Sequence, residues 1–356
     1  MKSVCLNDHT NKIMKLLESE KYKNDLVEAL NNIDLKAFEN KTFFVTGGLG
    51  LIASAIIDVL LMFGKTGKIY VGARDYEQFK KRFGGLDNIS YVPYNALGKA
   101  QLEEKIDYII HGAGLASPEL YTSNPVETIL SNFDGVHSLL EFARNRGVKR
   151  LLYISSSEVY GEKSTDESFK EDMYGKIDID NVRESYAVAK RASEMLCRSY
   201  YWEYGVDSVV VRPGHIYGPS AKRTDKRISS VFAFNAANGE LLKMKSSGLQ
   251  KRSYCYSVDC AVQILMVLLM GKCNQAYNIG HDEVITIRKM AEILAKAGNT
   301  RLFLTEASEK EKKVFNPMSN SSLDNSKVKK LGYKDTFSVE EGLIHTVEII
   351  REMEKE

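Results

Sequence analysis

The sequence predicts an α/β fold, a Rossmann-type doubly wound parallel sheet with a smaller C-terminal lobe. From residue 41 onward, short apolar runs alternate with helical segments, a pattern typical of parallel sheets. A glycine-rich turn at residues 45–54 separates the first apolar run from an apolar helix. With 356 residues and 44% hydrophobic content, the chain can bury a core of the size that this fold requires.

Six apolar runs are predicted to be strands, at residues 42–45, 68–71, 89–92, 106–110, 150–154 and 208–212. A helix is expected after the glycine turn and another from about Val126 to Arg146. The alternation ends near Tyr217, so the later residues are expected to form a lobe at the carboxyl edge of the sheet, where open α/β folds bind ligands.

Three domains follow from this pattern. Residues 1–40 form a helical extension, because residues 10–39 carry apolar positions at helical spacing, and it is interpreted as a cap or dimer element. Residues 41–215 form the Rossmann domain. Residues 216–356 form the C-terminal lobe, which can exchange elements with the Rossmann domain.

Composition and charge exclude several classes of protein. The net charge is +2, and acidic and basic residues are well mixed, so no basic face indicates a nucleic-acid partner. The longest apolar run near the amino terminus, residues 55–63, is interrupted by Asp58 and is too short to cross a membrane, and no secretory signal is recognisable. Five cysteines without metal-ligand or pairing patterns predict no metal site and a reducing cytoplasm.

The glycine turn predicts a dinucleotide site. Gly47 permits a tight turn, and Gly50 allows the backbone to approach a pyrophosphate at the start of a helix. Leu51 and Ile52, which open that helix, are assigned to the same cofactor site. A structural turn without a ligand is the alternative.

The choice between NAD and NADP is left open by the end of the second strand. Arg74 can pair with the 2'-phosphate of NADP, whereas Asp75 can reach the ribose of NAD. Asn95 and Ala113, which follow the third and fourth strands, are assigned to the same cofactor site.

Tyr186 and Lys190 are predicted to be catalytic. Their spacing of four places both side chains on one helical face, where the ammonium is expected to lower the pKa of the phenol and make it a general base. Ser156, in a serine-rich segment after the strand at 150–154, is expected to hydrogen-bond the substrate hydroxyl from which Tyr186 takes the proton.

From about Lys41 to its end, the chain resembles the extended short-chain dehydrogenase/reductases that act on nucleotide sugars, and UDP-glucuronate decarboxylases most closely. Residues 155–161 resemble their Ser-Thr-Ser-Glu-Val-Tyr-Gly motif, and residues 116–118 their sugar-binding loop. Residues 225–232 and 248–254 are similar to their segments that bind the nucleotide diphosphate.

The resemblance implies a tightly held NAD that is reduced and reoxidised in each turnover, which favours NAD over NADP. Oxidation at carbon 4 of a hexuronate gives a β-keto acid, which loses carbon dioxide readily. The resemblance places Ser157, Glu158 and Arg252 near the reacting carboxylate. The substrate-binding residues that it implies are Ser117, Tyr121, His215, Arg227 and Arg252.

A homodimer is also implied, because members of this family pair through the helix that bears Tyr186 and the helix that starts near Asn132. The apolar side chains that could form this contact are Leu139, Leu140, Phe142, Met195 and Leu196. They serve equally well in the core of a monomer.

Three departures from the decarboxylase pattern lie on the substrate side. His215 replaces an asparagine, residues 187–189 read Ala-Val-Ala in place of Asp-Glu-Gly, and residues 315–320 lack an arginine. The sequence therefore predicts oxidation at carbon 4 but leaves open decarboxylation, 4-epimerisation, 4,6-dehydration or reduction by exchangeable NADPH. A non-catalytic NAD(P)-binding sensor is the remaining alternative.

Overall fold

The computed structural model describes residues 16–306 and 318–354. Within them the strands are β1 (Phe43–Thr46), β2 (Ile69–Ala73), β3 (Ile89–Pro93), β4 (Tyr108–His111), β5 (Arg150–Ile154), β6 (Ser208–Pro213), β7 (His215–Tyr217), β8 (Leu242–Met244), β9 (Lys251–Tyr256), β10 (Ala276–Ile279), β11 (Val284–Thr286) and β12 (Leu302–Leu304). The six strands predicted from apolar runs correspond to β1–β6, each within two residues of its expected bounds.

The helices flank these strands. They are α1 (Glu20–Leu30), α2 (Leu51–Phe63), α3 (Tyr76–Phe83), α4 (Pro118–Ser123), α5 (Pro125–Arg146), α6 (Ser185–Tyr204), α7 (Ile228–Ala237), α8 (Ser257–Met270), α9 (Ile287–Ala297), α10 (Ser326–Lys329) and α11 (Val339–Glu354). Three of them, α2, α5 and α6, end at Gly64, Gly147 and Gly205, each in the left-handed conformation that glycine adopts without strain. No helix in the described ranges is long and apolar enough to cross a membrane.

The central sheet has seven strands in the order β10-β6-β5-β4-β1-β2-β3, and every pair in it is parallel. The predicted Rossmann-type α/β fold is therefore confirmed. The order in which successive strands are added reverses between β1 and β4. Such folds bind ligands at this switch point, at the carboxyl ends of the strands. Two smaller sheets, β11-β9-β7 and β12-β8, lie in the C-terminal part.

Residues assigned to the C-terminal lobe also contribute to the central sheet. Strand β10 pairs with β6, Ala276 lying opposite Val210, and α8 packs against α2. The C-terminal segment therefore contributes to the Rossmann layer as well as to the substrate side. The division into three domains stays a prediction. The cytoplasmic location also stays a prediction. The four cysteines in the described ranges have free thiols.

The helical extension packs onto the Rossmann layer, since α1 contacts α2, α8 and α11. The Tyr22 hydroxyl donates to the buried carboxylate of Asp58 at 2.8 Å, and Arg82 binds the same oxygen. Asp25 accepts a hydrogen bond from Tyr256 at 2.7 Å. Residues 1–15 of the predicted extension and residues 315–317 of the arginine-free tail segment lie outside the described residues.

Replacing Tyr22 with phenylalanine should lower the free energy of unfolding by about 1–3 kcal/mol, because Asp58 then loses a hydrogen-bond donor inside the core. Urea denaturation measures this change. Tyr76→Phe is the control, since Tyr76 is 52% exposed. Equal stability of the two variants would contradict the conclusion that the helical extension stabilises the Rossmann layer through Asp58.

Candidate active site

The glycine turn is built so that backbones approach closely. Gly47 has φ +68°, and a Cβ there would lie 2.7 Å from the backbone carbon and oxygen of Gly112 and 2.8 Å from the nitrogen of Ala113. The Gly47 N–H donates to the Gly72 carbonyl at 2.9 Å. The turn therefore brings the ends of β1, β2 and β4 together, and Ala113 lies beside Gly47 as the sequence predicted.

The amino terminus of α2 fits a pyrophosphate. Gly50 is the N-cap residue and has no side chain to bond the first N–H groups of the helix, which begins with Leu51 and Ile52. The first N–H groups of a helix lack intrahelical partners and carry its positive dipole end. These residues would hold the phosphates of a dinucleotide, with no side chain standing between them.

The ribose end of the site is more open. Arg74 is exposed at the end of β2, and Asp75 caps α3 by accepting the Gln78 N–H at 2.9 Å. That backbone hydrogen bond lowers the pKa of Asp75. Asn95 is exposed, and its side chain accepts the Leu97 N–H at 3.2 Å. The structure thus places Arg74, Asp75 and Asn95 at the same sheet edge, with Asp75 and Asn95 bonded to their own turns.

Tyr186 lies in the first turn of α6 with Lys190 one turn later, as their spacing predicted. The Lys190 Nζ donates to the Ile154 carbonyl at 2.8 Å. It lies 4.6 Å from the ring centre of Tyr153 and 5.6 Å from that of Tyr186. Lys190 thereby links the end of β5 to the helix that carries the phenol.

The pKa of the phenol departs from the expectation. Burial raises the pKa of Tyr186 to about 12, against partial lowering by hydrogen bonds from Ser156 and Tyr121. Burial also lowers the pKa of Lys190 to about 7. The expected lowering of the phenol pKa by the ammonium is therefore wrong for this structure, because desolvation dominates and the Lys190 Nζ is bonded to a backbone carbonyl.

The serine-rich segment follows β5 and faces the phenol. Ser156 caps a 3₁₀ helix, Ser157–Tyr160, by accepting the Glu158 N–H at 3.2 Å. Burial, the largest effect, and the charge of Glu158 raise the pKa of Tyr186, whereas the Ser156 hydroxyl lowers it. The fold therefore brings Ser156 and Glu158 within electrostatic range of Tyr186, and Ser157 lies between them as the first residue of the 3₁₀ helix.

The predicted substrate residues surround this centre. The charge of Arg227, the N-cap residue of α7, acts on the phenol of Tyr186. Arg252 is buried in β9, where it donates to the backbone carbonyls of Lys251 at 2.8 Å and Met318 at 3.2 Å. Burial lowers the pKa of His215 to about 3, with the charges of Arg252 and Arg227 acting in the same direction. A neutral imidazole therefore stands next to two guanidinium groups.

Tyr121 lies in α4 and Ser117 directly precedes that helix. The Tyr121 ring stacks on that of Tyr186, with ring centres 4.5 Å apart and planes 7° from parallel. Ser117 is the N-cap residue of α4 and makes no side-chain capping bond. Tyr121 thus lies against Tyr186, the predicted general base, a placement that its predicted role in substrate binding did not anticipate.

The sequence analysis missed three charged residues near the site, namely Arg183, Glu184 and Lys222. Arg183 lies 3.5 Å from Glu158 and 3.3 Å from Glu184, and all three side chains are largely buried. Lys222 donates to Gln78 at 2.7 Å, next to the ribose end. The position of Arg183, three residues before Tyr186, was a signal that could have pointed to the site. Lys222 comes from a distant loop and left no such signal.

Comparisons with known proteins place these features in context. A family model described as the NAD dependent epimerase/dehydratase family matches residues 43–280. UDP-glucuronic acid decarboxylase 6 of Arabidopsis thaliana is 33% identical over 258 residues, 71% of this chain and 73% of that protein. UDP-glucuronic acid decarboxylase 1 of Xenopus tropicalis is 28% identical over 320 residues, 88% of this chain and 73% of that protein.

Solved structures show the same fold at lower identity. UDP-glucose 4-epimerase of Thermotoga maritima is 24% identical, with a TM-score of 0.74 over 87% of this chain and 99% of that one. A dTDP-glucose 4,6-dehydratase of Streptomyces venezuelae, solved with NAD bound, is 23% identical, with a TM-score of 0.73 over 87% of this chain and 97% of that one.

Substituting Gly47 with alanine should weaken NAD binding by about tenfold or more. The added methyl group would clash with the backbone of Gly112 and displace the turn, and a displacement that costs about 1.4 kcal/mol of binding free energy raises the dissociation constant tenfold. Gly239→Ala is a matched control, since Gly239 has φ +70° but open space around its Cβ position. It shares the backbone strain, about 1–2 kcal/mol, and should bind NAD normally. Calorimetric titration with NAD compares the variants, and equal affinities would contradict the close-approach argument.

Proposed function

The chain belongs to the NAD dependent epimerase/dehydratase family, and from that premise we propose that it oxidises a nucleotide sugar at carbon 4 and then decarboxylates the keto sugar. The observation that carries the proposal is the position of Tyr186. Lys190, one turn after Tyr186, donates to the carbonyl of Ile154 at the end of β5, so the phenol lies at the sheet edge where the glycine turn, which suits NAD, follows β1. This arrangement supports Tyr186 as the general base for a sugar alcohol that meets the cofactor there.

The first step needs a base and a hydride acceptor. Tyr186 takes the proton from the sugar hydroxyl, and Ser156 donates a hydrogen bond to the same oxygen. Lys190 anchors the helix through the Ile154 carbonyl and would hold the ribose of the cofactor. NAD held by Gly47, Gly50 and the start of α2 would supply the acceptor for the hydride and the donor that restores it.

Decarboxylation is the fate that the remaining residues and the relatives favour. A hexuronate oxidised at carbon 4 is a β-keto acid, so the site mainly needs to orient its carboxylate and polarise its ketone. Arg252 offers a buried guanidinium anchored to backbone carbonyls, and Glu158 stands between Arg183 and Tyr186 as an acid or base for the carbon that loses the carboxylate. The matched relatives named UDP-glucuronic acid decarboxylases make a UDP-hexuronate the first substrate to test.

Replacing Tyr186 with phenylalanine should reduce turnover of UDP-glucuronate by about 10²–10⁴-fold, since the reaction then lacks its general base. Mass spectrometry of the products identifies the fate of the sugar, because decarboxylation alone removes carbon dioxide, whereas epimerisation leaves the mass unchanged and dehydration removes water. Tyr201→Phe, on the exposed side of α6, should keep the wild-type rate. Binding of NAD without turnover of UDP-, CDP-, GDP- or dTDP-sugars would favour the sensor alternative.

A homodimer is proposed to form through α5 and α6. Leu139 and Leu140, expected at the contact, are fully buried in the core and are not available to a partner. Phe142 and Leu196 are partly buried against the same core. The exposed large apolar side chains on these helices are Val126, Ile129, Leu130, Met195, Tyr201, Trp202 and Tyr204. The proposed partner copy would cover exposed side chains of this set.

Met195→Asp should convert this dimer to a monomer, because it places a carboxylate in the apolar contact. Met195 is 62% exposed. Phe303→Asp is the control, because Phe303 is 61% exposed and lies on β12, away from these helices. Light scattering coupled to size-exclusion chromatography gives the mass of each. A wild-type monomer, or a dimer in both variants, would refute this interface.

A further inference from the structure

Two buried tyrosine rings lie face to face at the centre of the candidate site. Tyr121 on α4 and Tyr186 on α6 are 4% and 6% exposed, with ring centres 4.5 Å apart and planes 7° from parallel. Aromatic rings in such contact restrict each other's orientation, because rotation of either ring removes the stacking. Tyr121 therefore fixes the plane in which the Tyr186 hydroxyl lies.

The backbone around Tyr121 is tied to the helix of its partner. The Ser185 hydroxyl, at the first residue of α6, donates to the Tyr121 carbonyl at 3.2 Å. The Thr128 hydroxyl donates to the neighbouring Leu120 carbonyl at 3.3 Å and so fastens α4 to α5. Tyr121 is consequently held against α6 from its own backbone, in addition to the ring contact.

The hydroxyl of Tyr121 also acts on the phenol of Tyr186. Hydrogen bonds from Ser156 and Tyr121 both lower the pKa of Tyr186, as does the charge of Arg227, whereas burial and the charge of Glu158 raise it. Lys190 donates its hydrogen bond to the Ile154 carbonyl. The polar and charged groups that face Tyr186 from the surrounding elements are Tyr121, Tyr153, Ser156, Glu158, Lys190 and Arg227.

We propose that Tyr121 is a positioning residue for the catalytic base: its ring orients Tyr186, and its hydroxyl donates a hydrogen bond to the Tyr186 oxygen when that oxygen is a phenolate. The inference rests on the proposed oxidation and deepens it. As the sugar alcohol is oxidised, its proton passes to the Tyr186 oxygen and its carbon-bound hydride to NAD, while Tyr121 keeps its own proton. Tyr121 thus acts through the base, in contrast to the contact with substrate that the sequence suggested.

Tyr121→Phe keeps the ring and removes only the hydroxyl, so it separates the two roles. Loss of one hydrogen bond to a charged group should decrease kcat about tenfold at neutral pH with KM unchanged. An increase of one pH unit should restore the rate, because it restores the fraction of phenolate. Substrate deuterated at carbon 4 verifies that hydride transfer limits the measured rate. Increased KM with unchanged kcat, or a deficit that persists at every pH, would overturn the proposal.

Tyr94→Phe is the matched control. Tyr94 is 5% exposed, and its hydroxyl has no hydrogen-bond partner within the described ranges, so its loss should leave kcat and the pH profile unchanged. Tyr121→Leu removes the ring as well and should decrease kcat further than Tyr121→Phe, without full rescue by pH. Equal behaviour of the two Tyr121 variants would refute the orienting role of the ring.

A readout without turnover keeps this inference separate from the proposed reaction. In protein labelled with ¹³C at the tyrosine Cζ atoms, Tyr186→Phe assigns the Tyr186 resonance. Tyr121→Phe should move that resonance, because the hydroxyl contact is lost while the stacked ring remains, and Tyr94→Phe should leave it in place. An unmoved resonance in Tyr121→Phe would refute the proposal even if the protein oxidises nucleotide sugars. A moved resonance in a protein that converts no nucleotide sugar would retain the contact and refute the proposed function alone.

Discussion

Burial of the Tyr186 phenol is the constraint on which the rest of the site depends. A general base must reach its phenolate form, yet desolvation raises the pKa of this group to about 12. The surrounding donors and cations, Ser156, Tyr121 and Arg227, act against that cost. The same burial makes every charge in the site effective, since electrostatic interactions strengthen where water is excluded. The arrangement of polar groups around one ring therefore decides how the site operates.

The fold supplies this ring with neighbours from both halves of the chain. Parallel strands end at one edge of the sheet, so the glycine turn after β1 and the serines after β5 meet there. Strand β9 and the N-cap of α7 bring Arg252 and Arg227 to the same place. Because β10 then returns to the central sheet beside β6, the C-terminal segment is anchored to the same sheet that positions Tyr186. The cofactor side and the substrate side are thus fixed relative to each other.

The sequence predicted the features that local patterns encode. Apolar runs gave β1–β6, and the spacing of Tyr186 and Lys190 gave one face of α6. Features that depend on tertiary contact were not accessible: the membership of β10 in the central sheet, the burial of Leu139 and Leu140, and the direction of the phenol pKa. The ammonium was expected to control that pKa, but no spacing rule shows that a backbone carbonyl receives its hydrogen bond. The stack of Tyr121 on Tyr186 joins two helices whose separation in sequence hides the contact.

The most direct test of the account is a crystal structure of the protein with NAD and an unreactive analogue of UDP-glucuronate. The Tyr186 oxygen is predicted to lie within about 2.6–3.2 Å of the carbon 4 oxygen of the sugar, the reach of a general base. The nicotinamide is also predicted to face the same carbon, and the pyrophosphate of NAD to lie at the start of α2. A sugar bound away from Tyr186, or a dinucleotide bound away from the glycine turn, would contradict the central claim.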